Sequence, residues 1–542
     1  MLKSMRIEVP QIPATERTPL VEALLAIIDT QQQRIQQLEE NVQQLRDEIA
    51  ILKGQKPRPT IAPSRLEAPA SSLQPSDKRP GSEKRSKNAQ LTITDEQWLN
   101  VPNAPPGSVT RGYEPYIVQD LILQVTVTRY WRQRLQTSDG DTLLAPLPPS
   151  VRPGCHFGVG LIEYLLYQHH HCGVTQPLLL EQLRELGIDI SAGQIHHLLT
   201  DHTEAFHQEK AALLPAALAV SSYIGVDDTG ARHDGHNGVC TVIGNDLFAS
   251  FASTDSKSRI NFLKLLRGAA TGYAINAVAQ AYWEKQGLSE DWCAKLSVGP
   301  LVFADETAWQ TRLVELDVTA ERAVRIATEG ALLGYVIEQG IAPQLVILSD
   351  GAPQFDILVH ASCWIHAERP LTRMVPFCEE HRQAIAYVQS QLWELYKDLK
   401  LYQQCPAGGG QAALEYRFDF LVEQKTNYPS INAVLAEMRV HKADLLRVLE
   451  RPEVPLHNNG TESDIREYVK KRKISGGTRS DAGRRCRDTF TSLKKTCRKL
   501  GVRFWSYLRD RLRGLGKIAR LSDLIHARAT EKTAGPLQAV LA

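Results

Sequence analysis

No two of the nine cysteines stand at CxxC spacing. They are scattered at Cys155, Cys172, Cys240, Cys293, Cys363, Cys378, Cys405, Cys486 and Cys497. That pattern excludes a zinc ribbon and gives no disulfide framework. No apolar run is long enough to span a bilayer, and the opening residues MLKSMRIEVPQIP lack the apolar core of a signal peptide. A cytoplasmic protein with no membrane partner is therefore the expectation. The net charge of +2 over 542 residues says little about partners, although that length suffices for three or more domains. The distribution of charge says more. Between Arg466 and Arg520 stand 19 Lys/Arg against four acids, Glu467, Asp481, Asp488 and Asp510. The block also carries Phe490, Phe504, Trp505 and Tyr507, so it reads as a folded basic surface for nucleic acid.

Residues 20–54 form a heptad repeat, within a coiled-coil dimerisation region at 1–54. Val21, Ile28, Ile35, Val42 and Ile49 fall seven apart, interleaved with Leu24, Gln31, Leu38, Leu45 and Leu52. β-Branched residues at one seam position and Leu at the other predict a parallel coiled coil, hence a homodimer or higher assembly. Residues 55–95, rich in Pro, Ser, Lys and Arg, predict a flexible basic linker. Residues 96–220 predict a small β unit followed by helices. YIVQDLILQVTVTRYWRQRLQT alternates as strands do, and SDGD makes a hairpin turn. VTQPLLLEQLRELGIDISAGQIHHLLTDH reads as two short helices, the second capped by Ser191. This is the layout of a helix-turn-helix, with Gln194, His196 and His197 on the candidate recognition helix. Adjacent residues on a helix do not share one site, so His169, His170 and His171 read as structural or surface residues.

Residues 221–266 read as three strands and a helix, and Asp227 with Asp228 follows the apolar run Tyr223–Val226. QLVILSDG places Asp350 at the end of a second buried strand. In HNNGTESDIREYVKKRKISGG, Thr461 and Asp464 have capping-box spacing, which predicts a helix start at Thr461 with Glu462 in its first turn. Arg466 lies one turn on, followed by Lys470, Lys471, Arg472 and Lys473. Helical insertions are expected at about 268–340 and 376–450, and a basic helical tail at 501–542. The three acids are 350 − 227 = 123 and 462 − 350 = 112 residues apart. Strand–hairpin–strand–helix–strand–helices–helix is the order of a ribonuclease-H-like core, here spanning 221–500. Two cations about 3.5–4 Å apart, held by two aspartates and a glutamate, suit phosphodiester chemistry. Hard carboxylate donors favour Mg²⁺ (or Mn²⁺). Asp305 competes for the first position, but a helical stretch follows it where the fold needs strands. Asp228 is a nearer rival, one residue away. Cys363 and His366 have C-x-x-H spacing without two further identifiable ligands, which reads as a structural pair or a pair near the active site. Lys257 and Arg259 open the helix after the third strand and are candidate phosphate contacts.

VDDTGARH at 226–233, SDG at 349–351, CWIHAER at 363–369, NNGTESDIR at 458–466 and SGGTRSDAGRRCRDTFTSLKKTCRKLG at 475–501 together resemble bacterial transposases of the insertion-sequence-66 type, the large TnpC-like subunit. The resemblance implies a DDE transposase of the retroviral-integrase superfamily: a multidomain α+β chain with an N-terminal coiled coil, a helical DNA-binding region and a ribonuclease-H-like catalytic core. By motif matching it assigns Asp227, Asp350 and Glu462 the catalytic, metal-binding positions, with two Mg²⁺ ions. The expected partners are double-stranded DNA (element ends and target) and accessory proteins of the same element. Many members carry a Cys/His zinc motif after the coiled coil. This chain has no CxxC between 55 and 155, so recognition of element ends falls to the helical segment. The alternatives are a ribonuclease-H-like nuclease without strand transfer and a catalytically idle DNA-binding coiled-coil protein.

Overall fold

The computed structural model describes seven residues between Thr18 and Arg34, and residues 91–533 apart from Ala104, Thr110, 149–150, 152–153 and 407–409. Most of the heptad repeat and all of 55–90 lie outside the described residues. Within the repeat, Val21, Leu25, Ile28, Thr30, Gln31 and Arg34 are helical.

Two units separate, one comprising 50–129 and the other the rest of the chain. In the first, the described residues form no helix or strand, and their side chains are exposed apart from Leu91 and Ile117. The alternating run from Tyr116 therefore does not become the expected strands over most of its length. No strand among the described residues pairs with it, and an unpaired strand has no ladder to hold it. Only Arg134–Gln136 pairs, with Thr142–Leu144, around the SDGD turn.

The second unit is mixed α/β. It opens with helices α1 (Val159–Leu166), α2 (Gln176–Glu185), α3 (Ala192–Thr200) and α4 (Glu204–Val220), with a π-helical turn at Tyr167–Cys172. Strands β1 (Tyr223–His233), β2 (His236–Gly244) and β3 (Ala249–Thr254) form an antiparallel meander, followed by α5 (Arg259–Arg267). The first insertion is mainly helical: α6 (Ala277–Lys285), α7 (Glu290–Leu296), α8 (Glu306–Glu315) and α9 (Glu321–Glu338). Strands β4 (Val346–Ser349) and β5 (Val359–Ser362) then join parallel to β1. The sheet is five-stranded and mixed, in the order β3-β2-β1-β4-β5. The second insertion holds α10 (Trp364–Arg373), α11 (Glu379–Gln404), α12 (Gly410–Val422), α13 (Pro429–Val440), α14 (Lys442–Leu445) and α15 (Arg447–Glu450). The chain closes with α16 (Asn459–Ser475), α17 (Asp481–Lys499), α18 (Phe504–Arg513) and α19 (Leu521–Thr533).

Side chains alternate across the sheet with period two. Ile224 and Val226 enter the main core with Phe262 of α5 and Leu213 of α4. Ala231, Cys240, Val242 and Phe251 pack on the other face, against Ile465 and Tyr468 of α16. The helices thus sandwich the sheet, and residue parity on β1 decides which face a side chain joins.

The edge strand β3 is not left open. Ser253 N donates to Asp488 Oδ2 at 2.7 Å, Phe251 N to Ser492 Oγ at 2.8 Å and Ala249 N to Thr496 Oγ1 at 3.2 Å. Four residues of helix rise about 6 Å and two residues of strand about 6.7 Å. A row of short polar side chains on α17 therefore keeps step with the outward N–H groups of β3. Much of the basic block is folded inward here. Lys494 and Lys495 are buried against Glu467 and Asp464, Lys499 meets Asp464 at 2.7 Å, and Arg487 donates to Gly476 O.

Candidate active site

Asp227 lies on β1 at odd parity, on the face covered by α16. Ile224 pairs with Ile347 and Gly225 with Leu348 across the parallel β1–β4 ladder. Two residues beyond Gly225 and Leu348 come Asp227 and Asp350, so both carboxylates leave the sheet side by side. Asp228 faces the opposite way. It is held by an ion pair with Lys257 and by Gln354 Nε2 at 2.8 Å.

Glu462 reaches this rim from α16. The predicted capping box does not form: the helix starts at Asn459, and Asn458 stands at the N-cap without a side-chain cap. The reason is tertiary. Asn458 Nδ2 donates to Val226 O at 2.8 Å, and its backbone N–H to Cys363 Sγ at 3.3 Å. Thr461 is buried against β1, where a Cβ on Gly225 would lie 2.2 Å from Thr461 Oγ1. Docking onto the strand supplies more than the local cap, so the helix begins two residues early. Glu462 Oε2 faces Arg466 at 3.5 Å, as the i,i+4 spacing implies. Its Oε1 is buried without a hydrogen bond, 3.5 Å from His366 Nδ1.

Burial pushes the Asp227 pKa up to about 6, with the negative charges of Asp350, Glu462 and Asp228 adding to it, against a hydrogen bond from Asp228 N. Such a group is protonated in mildly acidic solution and repelled by its neighbours when ionised. A cation removes that repulsion. Asp350 is exposed, and its Oδ1 accepts from Ala352 N at 3.2 Å. Behind it runs a buried relay that local sequence does not signal. Gly351 N donates to Ser349 Oγ at 3.0 Å, Ser349 Oγ meets His360 Nε2 at 2.8 Å, and His360 Nδ1 meets Asp444 Oδ2 at 3.1 Å. Ser349 is fully buried, so this serine–histidine–aspartate row supports a strand end rather than presenting a nucleophile.

The remaining expected site residues divide. Arg466, Lys470 and Lys473 are exposed. Lys471 Nζ instead donates to His169 O at 2.7 Å, and burial, with the charges of Arg487 and Lys494, pulls its pKa down to about 7. Arg472 bonds Gly230 O and Thr229 Oγ1. Arg259 is held by Tyr282, Glu329 and the carbonyl of Pro353. Ser191 does cap α3, and Gln194 completes a reciprocal capping box with it. His197 pairs with Asp201 at 2.9 Å, and His196 lies beside it. Asp305 is the N-cap of α8, accepting from Ala308 N at 2.9 Å, and lies outside the five-stranded sheet. No helix among the described residues is long and apolar enough to cross a membrane.

Fold and site together define a class. This is a mixed α/β protein that gathers carboxylates from two neighbouring strands and a helix at the rim of one sheet, an acidic centre suited to divalent cations. Residues 346–485, which contain Asp350 and Glu462, match the family described as "Transposase IS66 family". The chain is also 40% identical over 321 residues to an uncharacterised protein, y4jO, of Sinorhizobium fredii, covering 58% of this chain and all of that one. The chain belongs to the IS66 transposase family.

Proposed function

We infer that the protein is a DDE transposase. It binds the ends of an insertion sequence, cleaves them, and transfers the 3′-OH ends into target DNA. The observation that carries this reading is the convergence of Asp227, Asp350 and Glu462 within a sheet ordered β3-β2-β1-β4-β5, the strand order of a ribonuclease-H-like core. The residues fit a metal pair because Asp227 is half-buried among the negative charges of Asp350, Glu462 and Asp228. Mg²⁺ or Mn²⁺, bound as two ions, would supply activation of the attacking oxygen and stabilisation of the leaving one.

The chain's own side chains do the rest. Asp227 presents its carboxylate from β1 and Asp350 from the residue just past the end of β4, so both follow closely on the last rung of the parallel ladder at Gly225–Leu348. Glu462 closes the third side, held in place by the seat of Thr461 against Gly225. Lys257 pairs with Asp228, and the charges of Asp350 and Asp227 also act on its ammonium. Arg466, Lys470 and Lys473 line the exposed side of α16 and offer charge to a DNA backbone. Lys471 and Arg472 hold the helix to the protein. Helices α2 and α3 are the helix pair for DNA contact, with His196, His197 and Gln194 on the second. The heptad repeat supports a homodimer or higher assembly, and accessory proteins of the same element complete the set of partners. A place beside the nucleoid, in the bacterial cytoplasm, follows from that substrate.

A strand-transfer assay on plasmid DNA carrying the element's own ends tests this. Asp350→Asn is expected to abolish cleavage and joining in Mg²⁺ while leaving DNA affinity intact. Full activity of that variant would sink the site assignment. Cleavage by the unmodified protein without joining would favour a nuclease.

A further inference from the structure

Three donor atoms of different chemistry meet beside the acidic centre. Cys363 is the N-cap residue of α10 and His366 stands three residues on, so C-x-x-H at this helix start turns both toward one point. α16 brings Glu462 to the same point. The thiol sulfur, an imidazole nitrogen and a carboxylate oxygen all lie within 4.8 Å of one another. Two polar atoms of these side chains are in an unusual condition. His366 Nδ1 and Glu462 Oε1 are both buried, and neither makes a hydrogen bond, although they face each other at 3.5 Å. Donors about 2.1 Å from a tetrahedral cation stand about 3.4 Å apart. The sulfur also has a ligand's surroundings: Asn458 N–H points at it from 3.3 Å, as second-layer amides do around a metal-bound thiolate. An ordinary His–Glu pair would close to hydrogen-bond distance and would need no cysteine.

We propose that Cys363, His366 and Glu462 form a binding site for one borderline-soft divalent cation, zinc by donor type, adjoining the Asp227–Asp350 centre. The site is distinct in chemistry from that centre, because its sulfur and nitrogen donors disfavour Mg²⁺. Three protein ligands leave the fourth position open, so the ion is exchangeable and not a closed structural zinc. Glu462 is the shared member. Its Oε1 serves the soft site and its Oε2, which faces Arg466, serves the acidic one. An ion here therefore ties α10, at the start of the second insertion, to α16 and fixes the rotamer of Glu462. The inference borrows only the position of Glu462 from the transposase reading, and it stands or falls separately.

The test uses the full-length protein, stripped with a chelator and titrated with Co²⁺. The expected result is one Co²⁺ per chain with a thiolate-to-cobalt charge-transfer band and the intense d–d bands of tetrahedral cobalt, both bleached by equimolar Zn²⁺. Cys363→Ser should abolish the charge-transfer band. His366→Gln, at a partly exposed position less able to disturb folding, should weaken Co²⁺ binding at least ~10-fold and lower the d–d intensity. Asp227→Asn should leave all bands unchanged. No thiolate band in the unmodified protein, or an unchanged band in Cys363→Ser, overturns the proposal. Loss of DNA cleavage in Asp227→Asn with cobalt binding intact supports both readings. Retained cleavage in that variant with cobalt bound removes only the transposase site assignment.

Discussion

Gly225 and Thr461 occupy one space: the Cβ that Gly225 lacks would sit 2.2 Å from Thr461 Oγ1 and 2.5 Å from Asn458 Oδ1. β1 and the start of α16 are that close because nothing projects from the strand between them. The contact sets how far Glu462 stands from Asp227, two residues along the strand.

Gly225→Ala should therefore push α16 off the sheet. The expected cost is ~1–3 kcal/mol of stability, typical of overpacking. Cleavage should fall by more, up to ~100-fold, because a shift of about 1 Å at a reacting centre has that scale of effect. Thermal melts and cleavage rates measured on the same preparation check both. An unchanged cleavage rate would detach Glu462 from the centre.

Asp227→Asn should stabilise the metal-free protein near neutral pH. The folded-state pKa of about 6 lies above the ordinary carboxylate value, so the folded form holds its proton more tightly than the unfolded chain. Ionised Asp227 therefore destabilises the fold above pH 6, and that penalty fades as pH falls through 6 towards 4. After allowance for partial exposure, a gain on the order of 1–2 kcal/mol is expected at pH 7.5, with almost none at pH 4. Melting curves with chelator at the two pH values read it. Saturating Mg²⁺ should shrink the difference by stabilising the unmodified protein.

His360→Ala should strip both Ser349 and Asp444 of a buried partner. Ser349 keeps Gly351 N and Asp444 keeps Arg447, so the expected cost is ~1–3 kcal/mol in all. If the relay positions the end of β4, cleavage should fall beyond what the reduced stability explains at a temperature where the variant is still folded. A variant that melts earlier but cleaves at the normal rate would limit the relay to stability.

Arg466, Lys470 and Lys473 replaced together by Ala should weaken binding to specific and random DNA alike. The dependence of log affinity on log salt should flatten by about 0.9 for each phosphate no longer neutralised. Lys471→Met should leave that slope unchanged, since its ammonium is already spent on His169 O. A slope unaffected by the triple change would turn those charges into a solvated face.

Some of this structure was legible in the sequence. The succession of strands and helices along the chain and the Ser191 cap follow from local periodicity and turn chemistry. Asp305 could be set aside because a helix follows it, and the structure makes it that helix's cap. What local pattern concealed was tertiary. Asp227 and Asp228 are one residue apart, and only the register of β1 against β4 decides which of them faces α16. Thr461 and Asp464 have the spacing of a capping box, yet Asn458 prefers a strand carbonyl that lies 232 residues away. Arg259, Lys471 and Arg472 look like free cations in sequence and are consumed by neighbours that no nearby residue announces. Asp488, Ser492 and Thr496 form a polar row on a basic helix, which reads as a surface until β3 is laid against it. Residues 116–133 failed in the other direction, since alternation alone gives no strand without a partner.

The pairing of β3 with α17 also sets a clock. Ser253 and Asp488 are 235 residues apart in the chain. At ribosomal rates of about 5–20 residues per second, roughly 10–50 s pass between synthesis of the strand and synthesis of the side chain that closes its edge. Throughout that interval the nascent sheet carries an open flank and lacks Glu462 for most of the time. A chain still attached to its ribosome is thus exposed to strand-to-strand association, while its acidic centre is complete only once α16 has been made.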